Sequence, residues 1–418
     1  MGASSVDVAV VGAGPYGLSV AANVITAGRS LRVFGNPLQT WCTAMPAGMK
    51  LKSDGFASNL SAPGPGSTLG EFCRTRGIPY GDKGEPVSLE TFVAYGLDFQ
   101  RRFVPHLETV NVSHIGRSGD GFRLTTEEGQ TVLARRVVLA VGVTHFRVAP
   151  RELADLPASL ASHSADHRNM DRFAGRDIAI VGAGASAVDL AAALIDAGAR
   201  PKIVTRADRI RFASEPTAGE PPLLGRLTHP SSPLGPGWRS RLASDLPQIY
   251  RLLPARLRLN ILRRHLGPSS AWYLRGKVLG GAEVLAGHHL QGAAPTGNGV
   301  RLKLGDASGK SKTLDVDHVI AATGYWPQIE RLQFLDKSLR GAIRHVAGVP
   351  ILSHDFETSA PGLYATGLAA ASSFGPLMRF VAGADYTARR IVQHLETTRV
   401  RRNVGVADSR APRQPEYE

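Results

Sequence analysis

The chain has 418 residues, 43% of them hydrophobic and 20% charged, which is the composition of a folded globular protein with room for two cores. No apolar run is long enough to span a bilayer, and the first predicted strand begins at about Val6, which leaves no room for a signal peptide, so we expect a cytoplasmic protein. The two cysteines, Cys42 and Cys73, exclude a disulfide framework and a CxxC redox pair, and the net charge of +14 comes mostly from arginines spread along the chain.

A glycine-rich turn follows the first predicted strand. The segment VDVAVVGAGPYG places branched apolar residues before a GxGxxG spacing, and an alanine-rich stretch follows it. Gly12 permits the turn, Gly14 lets the backbone approach a pyrophosphate, and Gly17 lets helix and strand pack closely. These features predict a dinucleotide site. The next strand ends at Asn36 without the usual acidic residue, so Asn36 is the candidate ligand of the ribose.

Residues 36–85 form an irregular stretch rich in Gly, Pro, Ser and Asp. A loop region of this length inside a compact domain is usually functional. A helix, hairpin-like strands and a strand over residues 136–141 are predicted to follow, and that last strand leads to Gly142.

The segment RDIAIVGAGASA repeats the fingerprint about 170 residues later. Here Gly182, Gly184 and Ala187 fill the three roles, and Ser186 lies in the same turn. Two such turns in one chain predict two dinucleotides and electron transfer between them. The next strand ends at Arg206, which favours the extra phosphate of NADPH over NADH, although Asp208 is close by and an exposed strand-end arginine is the alternative.

An insert over residues 214–280 follows. Prolines and glycines up to residue 237 predict an extended lid or linker, and a basic helical segment continues to Lys277. Three interpretations of this segment stay open. It forms a solvated face or subunit contact, it steers an anionic cofactor or substrate, or it binds a nucleic acid or a membrane. Its aromatic residues are not interleaved with the basic ones in a pattern that favours bases. The basic residues of the densest patch are Arg239, Arg251, Arg256, Arg258, Arg263, Arg264, Arg275 and Lys277.

The last third of the chain is predicted to resume with strands over 300–304 and 317–321, the second leading into Thr323-Gly324-Tyr325. A long helix is predicted to begin at Pro376, a residue suited to a first helical position, and to end near residue 395. Residues 399–418 read as a mobile charged tail.

Three landmarks beyond the glycine turns carry a resemblance to a known family. Ala322-Thr323-Gly324-Tyr325 resembles the ATG motif of two-dinucleotide-domain flavoproteins, and Ala140-Val141-Gly142 is a weaker partner of it. The segment PGLYATG ending at Gly367 resembles the strand that completes their FAD site. The resemblance implies an α/β fold of two Rossmann-like domains, with an NADPH domain (151–310) inserted into a split FAD domain (1–150 and 311–398).

Within that superfamily the chain looks most like the class B flavin-dependent monooxygenases, which include flavin-containing monooxygenases and lysine or ornithine N-hydroxylases. Trp41 follows a turn similar to the GGxW turn of these families. These families also carry a sequence fingerprint between their two domains, and of that fingerprint this chain retains only His163, with Ser164 after it. Lys52 lies in the triplet Leu51-Lys52-Ser53, which lacks the asparagine that flavin-containing enzymes place beside the flavin. Asn59 nearby is more readily a turn residue.

The resemblance implies an NADPH-dependent FAD enzyme that transfers one oxygen atom of O2 to a nitrogen or sulfur of a small molecule through a C4a-(hydro)peroxyflavin. Because the fingerprints are incomplete, Baeyer–Villiger oxidation of a ketone, a non-oxygenating reductase and a flavin-binding regulatory protein stay open. We expect no nucleic-acid or membrane partner and leave a homodimer open.

The resemblance and the two turns together give the predicted site residues. Ser372 to Pro376 lead into the last helix, whose N-terminus would favour negative charge on reduced flavin, with Arg379 one turn inside it. His163 and Arg379 are the catalytic candidates, and His288-His289 lacks companions for a metal. The predicted FAD ligands are Gly12, Gly14, Gly17, Asn36, Trp41, Lys52, Gly142, Thr323, Gly324, Gly367 and Pro376, and the predicted NADPH ligands are Gly182, Gly184, Ser186, Ala187 and Arg206.

Overall fold

The computed structural model describes residues 4–215, 228–264 and 269–408, and within them two sheets with parallel centres organise the chain. The first sheet has the order β2-β1-β5-β4-β3. Strands β1, β2 and β5 are parallel, and β5 bonds antiparallel β4 along its first half and parallel β16 along its second half. The bounds are β1 Ser4–Val11, β2 Leu31–Phe34, β3 Val112–Ser118, β4 Gly121–Thr126, β5 Thr131–Leu139 and β16 Leu363–Ala365.

The second sheet is parallel throughout and has the order β6-β13-β7-β8-β9. An antiparallel sheet, β10-β11-β12, shares a hydrophobic core with one of its faces. A two-stranded sheet joins β14 and β15. The bounds are β6 Ala161–His163, β7 Asp177–Val181, β8 Arg200–Val204, β9 Glu283–Leu285, β10 His289–Pro295, β11 Val300–Gly305, β12 Ser311–Val316, β13 His318–Ala321, β14 His345–Val346 and β15 Val349–Pro350.

Helices cover both sheets. In the first unit α1 packs along α11, and in the second α5 shares a core with β7 and β8. None of the helices in the described residues is both long enough and apolar enough to cross a bilayer. The bounds are α1 Pro15–Thr26, α2 Gln39–Thr43, α3 Leu69–Thr75, α4 Leu89–Phe103, α5 Ala185–Asp196, α6 Trp238–Asp245, α7 Ala255–Arg264, α8 Arg275–Gly281, α9 Lys337–Ala342, α10 Ala371–Phe374 and α11 Gly383–Asp408.

The central strands are apolar on both faces. Val8 and Val10 in β1, and Val137 and Val138 in β5, are completely buried. Strands of parallel sheets read as continuous apolar runs because helices or a second sheet cover both of their faces. The predicted alternation of strands and helices around two glycine turns is therefore confirmed.

The predicted domain boundary at residue 310 is wrong. We expected residues 311–321 in the second part of the FAD domain, yet β13 lies between β6 and β7, and β12 belongs to the antiparallel sheet of the second unit. His318–Ala321 is buried on both faces, as strands inside a covered parallel sheet are, and β6 and β7 bond its two edges. The second unit therefore extends to the end of β13.

The predicted start of the last helix is also wrong. Pro376–Arg379 is a single 3-10 turn, and α11 begins at Gly383. Gly375 has φ +83°, and Phe380 is extended, so the backbone leaves helical geometry on both sides of the turn. The same helix continues to Asp408, into the segment that we predicted as a mobile tail, while residues 409–418 lie outside the described residues.

Candidate cofactor-binding site

Both glycine turns lie at the carboxyl ends of central parallel strands and repeat one geometry. Gly12 follows β1 with φ +112°, and Gly182 follows β7 with φ +132°. A Cβ on Gly12 would lie 2.2 Å from the Ala140 carbonyl oxygen, and one on Gly182 would lie 2.4 Å from that of Ala322. Glycine is required twice over at each position, by the positive φ and by the close approach of the neighbouring strand.

The second glycine of each turn faces open space. Gly14 and Gly184 are the N-caps of α1 and α5, with φ and ψ of −81° and −175° in the first and −80° and −177° in the second. No atom lies within 4 Å of a Cβ built on either residue, and no side chain caps either helix. The amide groups at both helix starts are therefore available to an anion such as a pyrophosphate.

The third position differs between the two turns. A Cβ on Gly17 would lie 1.9 Å from the Gly12 carbonyl oxygen, so α1 allows no side chain there. Ala187 occupies the same place in α5 and is fully buried, so the second turn accommodates a methyl group. Ser186, one residue earlier, is exposed beside the open helix start.

Other predicted FAD ligands meet at the same edge of the first sheet. Asn36, Gly142 and Gly367 follow the carboxyl ends of β2, β5 and β16, and the strands that carry them lie beside β1 or β5. Gly142 has φ +68°, and Gly367 has φ +60° with the ring of Tyr16 3.6 Å from its Cβ position. The carboxyl edge of a parallel sheet is where α/β folds bind ligands.

Trp41 and Pro376, two further predicted FAD ligands, lie in short helical elements. Trp41 lies in α2, and its ring centroid is 4.5 Å from that of Phe92 in α4. Pro376 follows Gly375 in a four-residue 3-10 turn. The dipole of a long helix that we predicted at Pro376 is therefore absent from this position.

Lys52 has a different partner from the predicted flavin. Its Nζ lies 2.8 Å from Oδ1 of Asp189 in α5 and 2.7 Å from the Lys50 carbonyl oxygen. The two side chains are only 9% and 7% exposed, so the pair is a buried ion pair between the first and second units. Burial raises the pKa of Asp189, and Lys52 opposes that rise.

Thr323 and Gly324 lie in one of two chain segments that connect the two sheets, and we call this pair of segments the double linker. Thr323 Oγ1 donates to the Val148 carbonyl, the Val148 amide donates to Gly324 at 3.0 Å, and the Trp326 amide donates to Phe146 at 2.8 Å. Gly324 has φ +82° and no atom within 4 Å of its Cβ position. The two segments of the double linker are thus hydrogen-bonded to each other.

His163 ends β6 and is buried beside this linker. Its Nδ1 accepts a hydrogen bond from the Ala165 amide at 3.2 Å, and its ring lies edge-on to Tyr325 at 5.4 Å. Burial lowers the pKa of His163, as does Arg147, while the Gly324 carbonyl opposes the shift. Because Nδ1 accepts, the neutral ring carries its proton on Nε2, and that buried atom has no hydrogen-bond partner among the described residues.

A serine and two histidines form a largely buried network that no sequence motif indicates. Ser162 Oγ lies 2.6 Å from His167 Nε2 and 2.7 Å from His318 Nε2, and His318 Nδ1 lies 2.9 Å from the Ser159 carbonyl. Burial lowers the pKa of His167 to about 4. The network ties β6 to β13 across 156 positions of sequence, a pairing that no local pattern reveals.

Arg206 follows β8 with an exposed side chain. The chain beside it is fixed, since the Ala207 amide donates to Thr205 Oγ1 at 3.1 Å and the Gly287 amide donates to Ala207. None of the described acidic residues forms an ion pair with Arg206. This arginine is therefore open to a ligand phosphate at the same sheet edge as Gly182 and Gly184.

Arg379, the other catalytic candidate, lies in the 3-10 turn rather than inside a long helix. Its Nη2 donates to the Leu262 carbonyl at 3.4 Å. Burial lowers the pKa of Arg379 to about 10. Asn59 caps a neighbouring element, since its Oδ1 accepts from the Leu69 amide at 2.8 Å and its Nδ2 donates to the Phe56 carbonyl.

Comparisons with known proteins agree with this architecture. The family described as pyridine nucleotide-disulphide oxidoreductase matches residues 86–219. An ornithine N-hydroxylase from Kutzneria sp. 744, solved with reduced FAD, NADP+ and L-ornithine, superposes with a TM-score of 0.72 over 94% of this chain and 100% of that one, at 19% identity. This chain has the fold of the two-domain FAD- and NADP-binding flavoenzymes. The predicted fold is confirmed.

Two further relatives show how varied this fold is. A bacillithiol disulfide reductase from Staphylococcus aureus superposes with a TM-score of 0.65 over 94% of this chain and 99% of that one, at 16% identity. A ferredoxin–NADP reductase from Granulibacter bethesdensis is 40% identical over 123 residues, 29% of this chain and 34% of its own length. The chain spans from about a third to about half of the length of the curated relatives it matches.

Proposed function

We propose that the protein is an NADPH-dependent FAD monooxygenase that transfers one oxygen atom from O2 to a nitrogen or sulfur atom of a small molecule. The observation that carries the proposal is the pair of matching glycine turns, each open to a pyrophosphate at the carboxyl edge of its own parallel sheet. The double linker holds these two edges together. Two dinucleotides bound there exchange electrons within one chain.

FAD is assigned to the first turn and NADPH to the second. Gly12, Gly14, Gly142 and Gly367 contribute backbone and no side chains of their own around the helix start of the first sheet, which leaves room for a dinucleotide. Arg206 at the second turn supplies an open guanidinium for the 2′-phosphate of NADPH. The pair of cofactors is supported by a structural neighbour that was solved with reduced FAD and NADP+.

When bound, FAD supplies the transfer of electrons from NADPH to oxygen and the activation of that oxygen. The protein contributes binding, orientation and exclusion of water. His163 is assigned a hydrogen bond donated from Nε2 to NADPH, because this buried atom makes no hydrogen bond of normal geometry with the described residues, although the Gly324 carbonyl lies near enough to favour the protonated ring. Its lowered pKa keeps the ring neutral at pH 7, so it donates without adding a charge beside the nicotinamide.

A second candidate function is a reductase that passes electrons from NADPH through FAD to another acceptor without oxygenation. It is favoured by the sequence matches to ferredoxin–NADP reductases, which reach 40% and 36% identity over 123 and 114 residues. A rice indole-3-pyruvate monooxygenase is 26% identical over 47% of this chain, a coverage similar to that of a Thermus thermophilus ferredoxin–NADP reductase at 29% over 50%, so coverage does not separate the two candidates.

Coupling of NADPH oxidation to oxygen transfer separates the two candidates. The FAD-loaded protein is mixed with NADPH under air, and consumed NADPH is compared with released hydrogen peroxide over a panel of amines, amino acids, thioethers and ketones. A monooxygenase forms oxygenated product with one amine or thioether and releases less peroxide than NADPH consumed. Complete conversion of NADPH into peroxide with every compound, together with fast reduction of ferredoxin or a quinone, would replace the proposal by the reductase.

A further inference from the structure

The described part of the insert concentrates exposed apolar side chains. Among the described residues eight large hydrophobic side chains are exposed, and six of them lie within residues 238–257. Leu252 is 82% exposed and Trp238 is 62% exposed. Clusters of exposed large apolar side chains mark interaction surfaces. We call this cluster the insert face, and its members are Trp238, Leu242, Leu246, Ile249, Leu252 and Leu257.

The first three members of the insert face share one side of a helix. Trp238, Leu242 and Leu246 are four residues apart along α6 and its C-cap, a spacing that places side chains above one another. All three line one surface groove. The 3-10 turn Pro247–Leu252 follows α6 directly and carries the next two members. The insert face therefore spans a helix and the turn that continues it.

The opposite side of this segment packs on the first unit. The 3-10 turn and α7 both contact α10, and Leu262 of α7 belongs to the hydrophobic core of the first unit. The ring of Tyr250 lies 3.2 Å from the position of a Cβ on Gly375, and the Tyr250 hydroxyl donates to the Arg258 carbonyl at 2.7 Å. The insert face is thus the outer side of a segment that the rest of the protein holds in place.

The same segment is strongly basic. Residues 238–264 contain seven arginines and one acidic residue, Asp245. Asp245 forms an ion pair with Arg241. Arg239, Arg256 and Arg263 have exposed side chains. The outer surface of the insert is therefore apolar and cationic at once.

This combination favours a bilayer surface over a second protein. Peripheral proteins bind membranes with apolar side chains that enter the boundary between headgroups and acyl chains, and with basic side chains that contact anionic headgroups. A protein partner must provide a pocket for a side chain as exposed as Leu252, whereas a bilayer accepts it without one. A second copy of this chain, related by a two-fold axis, would bring the same arginines face to face.

We propose that the insert face binds the surface of a membrane that contains anionic lipids. Its apolar side chains enter the interface, and Arg239 and Arg256 pair with the headgroups. We expected no membrane partner from the sequence, and this proposal replaces that expectation. It is independent of the proposed function, because it needs neither cofactor nor substrate.

Co-sedimentation of the FAD-loaded full chain with lipid vesicles tests the proposal. One preparation contains equal parts of phosphatidylcholine and phosphatidylglycerol, and the other contains phosphatidylcholine alone. We expect binding to the mixed vesicles to be at least roughly ten-fold tighter. Leu252→Ser and Leu242→Ser each weaken that binding by roughly ten-fold, as loss of a buried leucine implies. Leu279→Ser, at an exposed leucine outside the insert face, changes it by less than about two-fold.

Charge variants separate the insert face from the general positive charge of the chain. Arg239→Gln combined with Arg256→Gln should weaken binding to the mixed vesicles by roughly ten-fold. Arg74→Gln combined with Arg123→Gln removes the same charge from exposed positions of the first unit and should change binding by less than about two-fold. Equal effects of the two double variants would show a non-specific attraction and would overturn the proposal.

Other outcomes also overturn the proposal. These are absence of binding to the mixed vesicles, equal binding to both preparations, and binding that Leu252→Ser and Leu242→Ser leave unchanged. Analytical ultracentrifugation of the same proteins without lipid tests the alternative occupant. A dimer that Leu252→Ser dissociates would show that a second copy of the chain covers the insert face instead. Circular dichroism and bound flavin establish that each variant is folded.

Discussion

Gly182 and Gly184 are two residues apart, yet the same substitution should affect them in opposite ways. In Gly182→Ala the new methyl meets the Ala322 carbonyl oxygen at 2.4 Å in a backbone with φ +132°, so we expect a loss of about 2 to 4 kcal/mol in the free energy of unfolding. In Gly184→Ala the methyl has open space, so stability changes by less than about 1 kcal/mol, but the methyl occupies the approach of the pyrophosphate. Denaturant unfolding and the KM for NADPH measure the two effects. Similar unfolding curves for the two variants would contradict the geometry.

We propose that Arg206 selects NADPH over NADH. Arg206→Gln removes an exposed guanidinium that faces no carboxylate, so folding should be unaffected while the KM for NADPH rises by roughly ten-fold or more, as loss of a charged hydrogen bond implies. The KM for NADH should stay within about two-fold. Steady-state kinetics with both cofactors test this, with Arg256→Gln as the control. An unchanged ratio of the two KM values would show that the phosphate binds elsewhere.

Among the secondary-structure elements, the sequence predicts those that a local residue pattern determines. The glycine spacing at Gly12 and Gly182 locates both strand–turn–helix units, because three backbone requirements fall within six residues. The neighbours of β13 were predicted wrongly because pairing depends on residues over a hundred positions apart. The last helix was started too early because Pro376 suits a helix start, while the positive φ of Gly375 and the extended Phe380 are tertiary features.

The buried histidines that join β6 to β13 should make this element pair sensitive to acid. The pKa of His167 is lowered to about 4, and burial also lowers those of His163 and His318. The unfolded chain binds protons at its ordinary pKa near 6.5, whereas the folded chain stays neutral, so the free energy of unfolding falls as the pH decreases from about 6.5 towards 4.

Replacement of His167 measures this contribution. Between pH 7 and pH 4 the free energy of unfolding should fall less in His167→Gln than in the unaltered protein, by on the order of 2 kcal/mol, because the imidazole with the lowered pKa is gone. Urea unfolding at a series of pH values provides the comparison, with the exposed His354→Gln as the control. A variant with the same pH dependence as the unaltered protein would mean that His167 is not the acid-sensitive group.

In the molecule as a whole, the two units are joined by contacts that no sequence motif predicts. Lys52 was predicted beside FAD, but its partner is Asp189 on the helix of the other glycine turn. The sequence therefore located both glycine turns but not the ion pair that joins the units, since that contact is defined by packing between units.

A double-mutant cycle tests the Lys52–Asp189 contact. Lys52→Met alone leaves a buried carboxylate without its counter-charge, so we expect the free energy of unfolding to fall by about 3 to 5 kcal/mol. Adding Asp189→Asn removes that charge and should recover more than half of the loss. Denaturant unfolding of the single and double variants is the measurement. A double variant as unstable as Lys52→Met would mean that the ion pair does not join the units.

Anaerobic titration tests whether one chain holds two dinucleotides at its two glycine turns. The purified protein is saturated with FAD, washed free of excess cofactor, and then mixed with NADPH while the flavin absorbance is followed. We predict one FAD per chain and full bleaching by NADPH, with bleaching that requires far more NADPH in Gly184→Ala. A protein that remains colourless after exposure to FAD, or whose bound flavin NADPH does not reduce, would contradict the account.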